Sequence, residues 1–513
     1  MKTSIVCWSL AALVLVMLAL AIGLPTYADD PAPTPIPIPT QEDALPVPEF
    51  IGAEATPQPI AAPSIPRNKF MAPGSWSNYH NDTYMSDTYF TSGPLGRSPS
   101  VLSTFLGVDE DNPVAITTFI TFDRHGLVVV GAFRMDQVPP TVRWMQLVLI
   151  DPDTLATLAT FDLPSAPVTN MFQLPAGAYM YADNQDRIVA GTQDRRIMVV
   201  SHTYTAPFTF TVERTYDLSG AIPKEDGIQA LQPDFTGRLW FTSKGGVVGT
   251  LNMKTGNVIG TVALGETIEN GNAIDETGAV YLNTSRAMYR FDPDKNGAPS
   301  ITWQEPYDWG HVKVLSEGSG STPTLMGKDY VAMADNADPQ VHVLVYRRAK
   351  DVEGSRLVCA EPVFQPGQSM TENSFIATDK SIVVVNNFGY RGFDSVVDGA
   401  TTKPGLTRID LDADGNGCHT VWTNVEVSAP IATPKLSLAN GLIYLYTKPK
   451  GPETTDAFYF TAIDFWTGET VYKRLTGTGS YFNAAQGVIT LSPDGRAVYV
   501  GLLVGVVKME DGR

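Results

Sequence analysis

A chain of 513 residues with 43% hydrophobic and 10% aromatic side chains holds enough apolar material for a large core, which excludes a wholly disordered or coiled-coil protein. Charged residues make up only 18%, and 36 Lys and Arg stand against 54 Asp and Glu, a formal charge of −18. No basic excess remains to displace counterions, so nucleic acid and anionic membrane surfaces are poor partners for this protein.

Lys2 is the only charged residue before Asp29, and Leu10 to Leu24 is an apolar run that ends in Pro25-Thr26-Tyr27-Ala28. A basic tip, an apolar stretch and small residues before the cut predict a secretory signal peptide over residues 1–28. If uncleaved, the uncharged stretch from Thr3 to Ala28 is long enough to anchor the protein in a bilayer. Cys7 precedes the apolar run, which rules it out as a lipidated cysteine. In both cases the rest of the chain is expected outside the cytoplasm, secreted or bound to the cell envelope. Residues 31–66 hold eleven prolines, so residues 29–68 read as an extended, disordered linker with no core of its own. Beyond the leader only Cys359 and Cys418 remain, and two thiols in an oxidising compartment predict a disulfide. No Cys-x-x-Cys or Cys/His cluster supports zinc.

Residues 69–99 form a separate aromatic and polar segment. Trp76 to Tyr89 contains His80, Asn78, Asn81, Asp82, Asp87 and four aromatic residues. A flexible leader has no need of so many aromatics, so this segment is expected to fold as a cap on the domain that follows, with a lid or ligand wall as its sharper role. His80 with Asp82 is its candidate acid/base pair.

From residue 100 to 513 strand signals dominate. Eight β-branched or aromatic clusters begin at Leu127, Ile188, Leu239, Val280, Tyr330, Ile382, Leu442 and Val498, at steps of 41 to 61 residues. Polar turns such as Asp123-Arg-His-Gly126, Asp234-Phe-Thr-Gly237 and Asp275-Glu-Thr-Gly278 precede them, and Asx/Gly hairpins such as Asp464-Phe-Trp-Thr467-Gly468 follow. Periods of this size with four strands per unit predict an all-β, eight-bladed propeller, with seven blades if one interval holds an insertion. The last unit is too short for four strands, so Val101–Leu106 is the expected donor that closes the ring and removes an open edge.

The eight units and the Asp-x-x-Thr-Gly-x-x-Val hairpins resemble the quinoprotein-dehydrogenase-like propellers. Gly320–Gly327, Asp335–Pro339 and Glu372–Ser374 resemble a set of uncharacterised exported bacterial propellers. The first resemblance implies a fold and raises the question of pyrroloquinoline quinone. Quinone enzymes of that kind clamp the ring between a Trp and a disulfide of adjacent cysteines, with calcium alongside. This chain has no adjacent cysteines and no matching Trp set, so the quinone is not expected.

Residues just before each innermost strand converge on the channel mouth of a propeller. Counting back from the clusters gives Asn170, Asp226, Glu269 with Asn270, Ser321 with Thr322, Glu372 with Asn373, Lys435 and Asn483. Carboxylates and amides are hard oxygen ligands, which suit calcium. The set is similar to the axial calcium site of lactone hydrolases on smaller propellers, and that likeness makes Glu269 and Glu372 metal ligands and Asp226 or His80 a base. The competing reading is a non-catalytic binding or scaffold protein, a monomer in which the same polar mouth, with Asp82 nearby, meets a small molecule, a glycan or a peptide. Eight blades leave a wide channel in which a single-ion site is harder to build, so binding is the primary expectation. Asp410–Gly417 mimics the start of a calcium loop, but Val421 replaces the closing Glu, and an acidic hairpin turn is expected there. Gly318–Thr322 lacks the Lys of a phosphate loop, and no Gly-x-Ser-x-Gly elbow occurs.

Overall fold

The computed structural model describes residues 35–61, 65–106, 114–137, 140–164, 179–310, 316–484 and 486–512. The predicted signal peptide and Asn170 lie outside the described residues.

Eight sheets form eight blades, antiparallel throughout except where Thr88–Tyr89 pairs parallel with the innermost strand of blade 7. Blade 1 runs Val114–Phe122, Val128–Gln137, Pro140–Ile150 and Thr157–Leu163, each strand paired to the next. Blades 2 to 6 repeat this four-strand order, starting from the inner strands Tyr181–Ala182, Ile228–Pro233, Ala273–Ile274, Thr324–Met326 and Ile376–Ala377. Blade 7 begins at Lys435–Ser437 and blade 8 at Ile489–Leu491. Each of the eight clusters lies on the second strand of its blade or at that strand's start, because that strand is buried on both faces and so reads as a continuous apolar run.

Local chemistry sets the turn between the first and second strands. In blade 1 an Asp123 carboxylate oxygen accepts the amides of His125 and Leu127, both at 2.8 Å. Asp183, Asp234 and Asp275 do the same for the amides two and four residues on. Gly126, Gly237 and Gly278 supply the positive φ that each of those three turns needs. Asp410–Gly417 is likewise a hairpin turn, closed by the Gly415 amide on the Asp412 carbonyl.

The ring closes as expected. Ser100–Phe105 pairs with Gly505–Glu510 and completes blade 8 from the other end of the domain. Cys359 and Cys418 form the predicted disulfide, Cα to Cα 5.9 Å, between the outer strands Leu357–Pro362 and Cys418–Asn424 of blades 5 and 6.

The proline-rich segment departs from the expected free linker. From residue 35 to 60 it lies along blades 7 and 8, and further on the Asn68 side chain donates to the Pro233 carbonyl of blade 3 at 2.7 Å. Phe50–Gly52 adds a strand to the outer edge of blade 7, against Arg474, Lys473 and Tyr472. Phe105 donates to the Ile36 carbonyl, and the Gln58 and Ile60 amides donate to the carbonyls of Asn440 and Leu438. Proline lacks a donor but keeps its carbonyl, and the residues between prolines supply the donors, so the strap can follow sheet edges that a core strand could not.

Residues 69–99 do fold onto the propeller, but along its axis. The Trp76 carbonyl accepts from Thr121 of blade 1, and the Trp76 indole donates to the Leu491 carbonyl of blade 8 at 2.8 Å. The Ala182 amide of blade 2 donates to Ser77 O, and the Asn78 side chain bonds Gln232 of blade 3. Ile274, Leu325, Ala377 and Leu436, on the inner strands of blades 4 to 7, donate to the carbonyls of Thr83, Tyr84, Ser86 and Asp87. The segment therefore touches the inner strand of every blade and plugs the hub. The wide channel expected of eight blades is filled by a piece of the same chain.

Candidate functional site

The plug turns back on itself within a few residues. Asn81, Met85 and Asp87 all have positive φ, at 79°, 57° and 54°, and the Asp87 amide donates to the His80 carbonyl at 3.2 Å. Asn and Asp tolerate this left-handed conformation, whereas for Met it is strained. The reversal brings Asp87 under His80: Nδ1 of the imidazole lies 2.9 Å from Asp87 Oδ2 and 3.1 Å from Oδ1. Lys435 donates to the other side of the same carboxylate and, at 2.7 Å, to the Tyr79 carbonyl. All three side chains are buried. Burial lowers the His80 pKa despite Asp87, and burial likewise lowers that of Lys435. With Nδ1–H held by the carboxylate, Nε2 is left as an acceptor, and it faces the hydroxyls of Thr322 at 3.2 Å and Ser374 at 3.3 Å.

The expected pairing of His80 with Asp82 is therefore corrected. The left-handed turn at Asn81 sends Asp82 away, where its carboxylate accepts the amides of Tyr84, at 2.8 Å, and of Ser86, and the Ser86 hydroxyl. Burial pushes the Asp82 carboxyl up to about 6, against those hydrogen bonds.

Above His80 the channel mouth opens into a cavity of about 70 Å³, room for a few waters or a small polar molecule. Tyr79, His80 and Tyr179 form an aromatic floor, with the Tyr79 and His80 rings 4.7 Å apart and Tyr179 stacked on His80 at 6.0 Å. Glu269, Asn270, Glu372 and Asn373 line its wall together with Gln229, Lys244, Ser316, Ser374 and Thr433. Glu269, Asn270, Glu372 and Asn373 precede inner strands and are brought together as the propeller geometry predicts, whereas Gln229 lies on an inner strand and Lys244 follows the second strand of blade 3. Glu269 accepts the Glu317 amide at 2.7 Å, lies 3.8 Å from the Lys244 ammonium, and is raised in pKa chiefly by burial. Burial also lowers Lys244. Glu372 accepts the Ser316 hydroxyl at 2.9 Å. The Asn270 amide is spent on the Ser319 carbonyl, and that of Asn373 on Ile431 and Thr433.

The remaining expected residues stand apart from the cavity. Thr322 lies beneath it, fully buried, accepting the Gly271 amide. Lys435 lies below the plug's floor, where it serves Asp87. Asp226 braces its own loop through the amides of Gly227 and Gly245. Asn483 is buried at the start of blade 8, with no partner for its side-chain amide among the described residues.

Neither implied cofactor fits. Among the described residues no group of three or more His, Cys, Asp and Glu could hold a metal ion, and a lysine ammonium stands beside one of the two expected carboxylate ligands. Glu269 and Glu372 are the only carboxylates among the described residues that line the cavity, and Asp226 lies outside that lining. A flat tricyclic quinone finds no slot either, because the plug fills the axis, no Trp lines the cavity, and the disulfide lies in the outer strands.

No protein-family model matches the chain. An uncharacterised protein of Archaeoglobus fulgidus is 28% identical over 309 residues, which cover 54% of this chain and 59% of that one. The match thus spans less than two thirds of the relative's length. A europium-containing methanol dehydrogenase aligns over 85% of this chain and 98% of its own, with a TM-score of 0.52 at 12% identity. BamB of Moraxella catarrhalis aligns over 64% of this chain and 94% of its own, with a TM-score of 0.36 at 13% identity. At such identities the likeness is one of fold alone, an eight-bladed propeller.

Proposed function

We propose that the protein is an exported binding propeller whose axial cavity holds a small polyhydroxylated molecule, of the sugar or polyol class. The observation that carries this reading is the pairing of an aromatic floor with a wall of amides, hydroxyls and carboxylates drawn from several blades. A polyol presents C–H faces to Tyr79 and Tyr179 and hydroxyls to Gln229, Glu269, Asn270 and Glu372. Polar groups held next to rigid strands orient such a ligand without first being ordered. One lysine facing two glutamates disfavours an anionic ligand. Export rests on the N-terminal leader, and the disulfide supports it, because such bonds persist in oxidising compartments.

Calorimetric titration with a panel of monosaccharides, polyols and short peptides tests the reading. A polyol should bind, and Tyr179→Ala should weaken it about tenfold, the loss of roughly 1.4 kcal/mol of ring contact. Glu372→Gln should weaken it by a similar factor. If only peptides bind, or if neither substitution changes polyol affinity, the reading is wrong.

A further inference from the structure

The floor of the cavity contains more than binding needs. Asp87, His80 and Ser374 form a continuous chain of hydrogen bonds: carboxylate to Nδ1 at 2.9 Å, and Nε2 to hydroxyl at 3.3 Å. Ser374 Oγ accepts the Thr322 amide at 2.9 Å, which fixes its rotamer and leaves its proton for Nε2. Thr322 offers a second hydroxyl to the same nitrogen, but it is sealed beneath the surface, whereas Ser374 lines the cavity. Among the described residues three other Asp–His pairs occur, Asp123–His202, Asp335–His342 and Asp412–His419, and none of them lines this cavity. An isolated pair is therefore ordinary in this protein. What sets the axial pair apart is a hydroxyl on the far nitrogen that also faces a cavity.

We propose that Ser374 is a nucleophile, activated by His80 and oriented through Asp87, for hydrolysis of a small acyl ester in the axial cavity. The inference rests on the preceding reading, with the substrate an acyl ester of the polyol held there. As Ser374 Oγ bonds to the carbonyl carbon, its proton passes to His80 Nε2. The carbon–oxygen bond to the alcohol then breaks, and the alcohol leaves with that proton. Water attacks the acyl-serine, giving its proton to Nε2, and release of the acid restores the serine hydroxyl. Asp87 holds the imidazole in the required tautomer and stabilises its transient positive charge.

A serine-reactive fluorophosphonate, applied to the full chain and followed by peptide mapping, tests this directly. The expected result is one adduct, on Ser374, absent in Ser374→Ala, together with p-nitrophenyl acetate hydrolysis that falls at least a hundredfold in the same variant. Because Asp87→Asn could disturb the hub, the pH profile of wild-type labelling is the second readout: the rate should drop as His80 becomes protonated. An adduct elsewhere, no adduct, or unchanged hydrolysis by Ser374→Ala overturns the inference. Polyol titration of the wild-type protein separates the two readings. Binding without labelling removes the catalysis alone, and labelling of Ser374 without polyol binding removes the ligand class alone.

Discussion

Two stretches that precede the blades, the proline-rich strap and the axial plug, are attached to the ring in opposite ways. The strap meets sheet edges mostly through its backbone, and Ile36, Leu45 and Ile51 remain exposed. From Ser75 to Tyr89 the plug is buried or half-buried, reaches the inner strands of all eight blades, and carries three linked ionisable groups, His80, Asp87 and the Lys435 it receives from blade 7. Backbone pairing at an edge can be lost one bond at a time. A buried charge network cannot, since deleting one member strands the others. The plug should therefore couple to global stability and the strap only to local order.

The largest expected effect is in the plug. Lys435→Ala leaves the Asp87 carboxylate buried without its ammonium partner and should cost about 3–5 kcal/mol in chemical denaturation. Asp87→Asn combined with Lys435→Met removes both charges and should cost less than Lys435→Ala. A double variant worse than the single would deny the coupling. Next is the disulfide, which ties blades 5 and 6 across a sequence separation of 59 residues. Cys359→Ser with Cys418→Ser should cost about 2–4 kcal/mol, read as a lower denaturation midpoint with a steeper slope, because the unfolded chain expands without its crosslink.

Smaller still is a pH effect. The Asp82 pKa is raised in the fold from 3.8 to about 6, so the folded state binds that proton more tightly than the unfolded chain. Its stabilisation is full below about pH 4 and is lost as pH rises through 6. Asp82→Asn should therefore gain on the wild type across that window by about 1–2 kcal/mol, measured as the difference between two pH–stability curves. His80 acts with the opposite sign. Its pKa is lowered, so stability falls as pH drops below the ordinary histidine value of 6.5, and this slope should persist in Asp82→Asn. The smallest effect is in the strap: Phe50→Ala, which removes a half-buried ring stacked on Tyr472 at 5.9 Å, should cost about 1 kcal/mol. Faster amide exchange should then be confined to blade 7 and residues 50–52.

The blades were legible because their determinants are local. Asp123, Asp234 and Asp275 cap amides two and four residues away, so turn and strand are encoded together, and the apolar second strands recur in register with them. Glu269, Asn270, Glu372 and Asn373 could be placed at the mouth for the same reason, since the position before an inner strand is set by the repeat. The partner of His80 was not legible. Asp82 is nearer in sequence, and only the left-handed residues Asn81, Met85 and Asp87 reverse the chain so that Asp87 takes its place. Ser374 and Thr322 reach His80 from more than 240 residues away, and no motif announces a serine delivered by one blade to a histidine on the plug. The strap misled for a compositional reason: proline density signals a lack of donors, but the carbonyls of Ile36 and Glu49 still accept hydrogen bonds from the blades.

Hydrogen exchange across residues 76–89, read by mass spectrometry on the free protein and with a bound polyol, tests the central claim that this segment is the hub of the propeller and the floor of its cavity. The account predicts free-protein protection equal to that of the inner strands at Ile274 and Leu436, and slower exchange at Tyr79 and His80 when the ligand is present. Exchange of this peptide at the rate of exposed loops, with or without ligand, would contradict it.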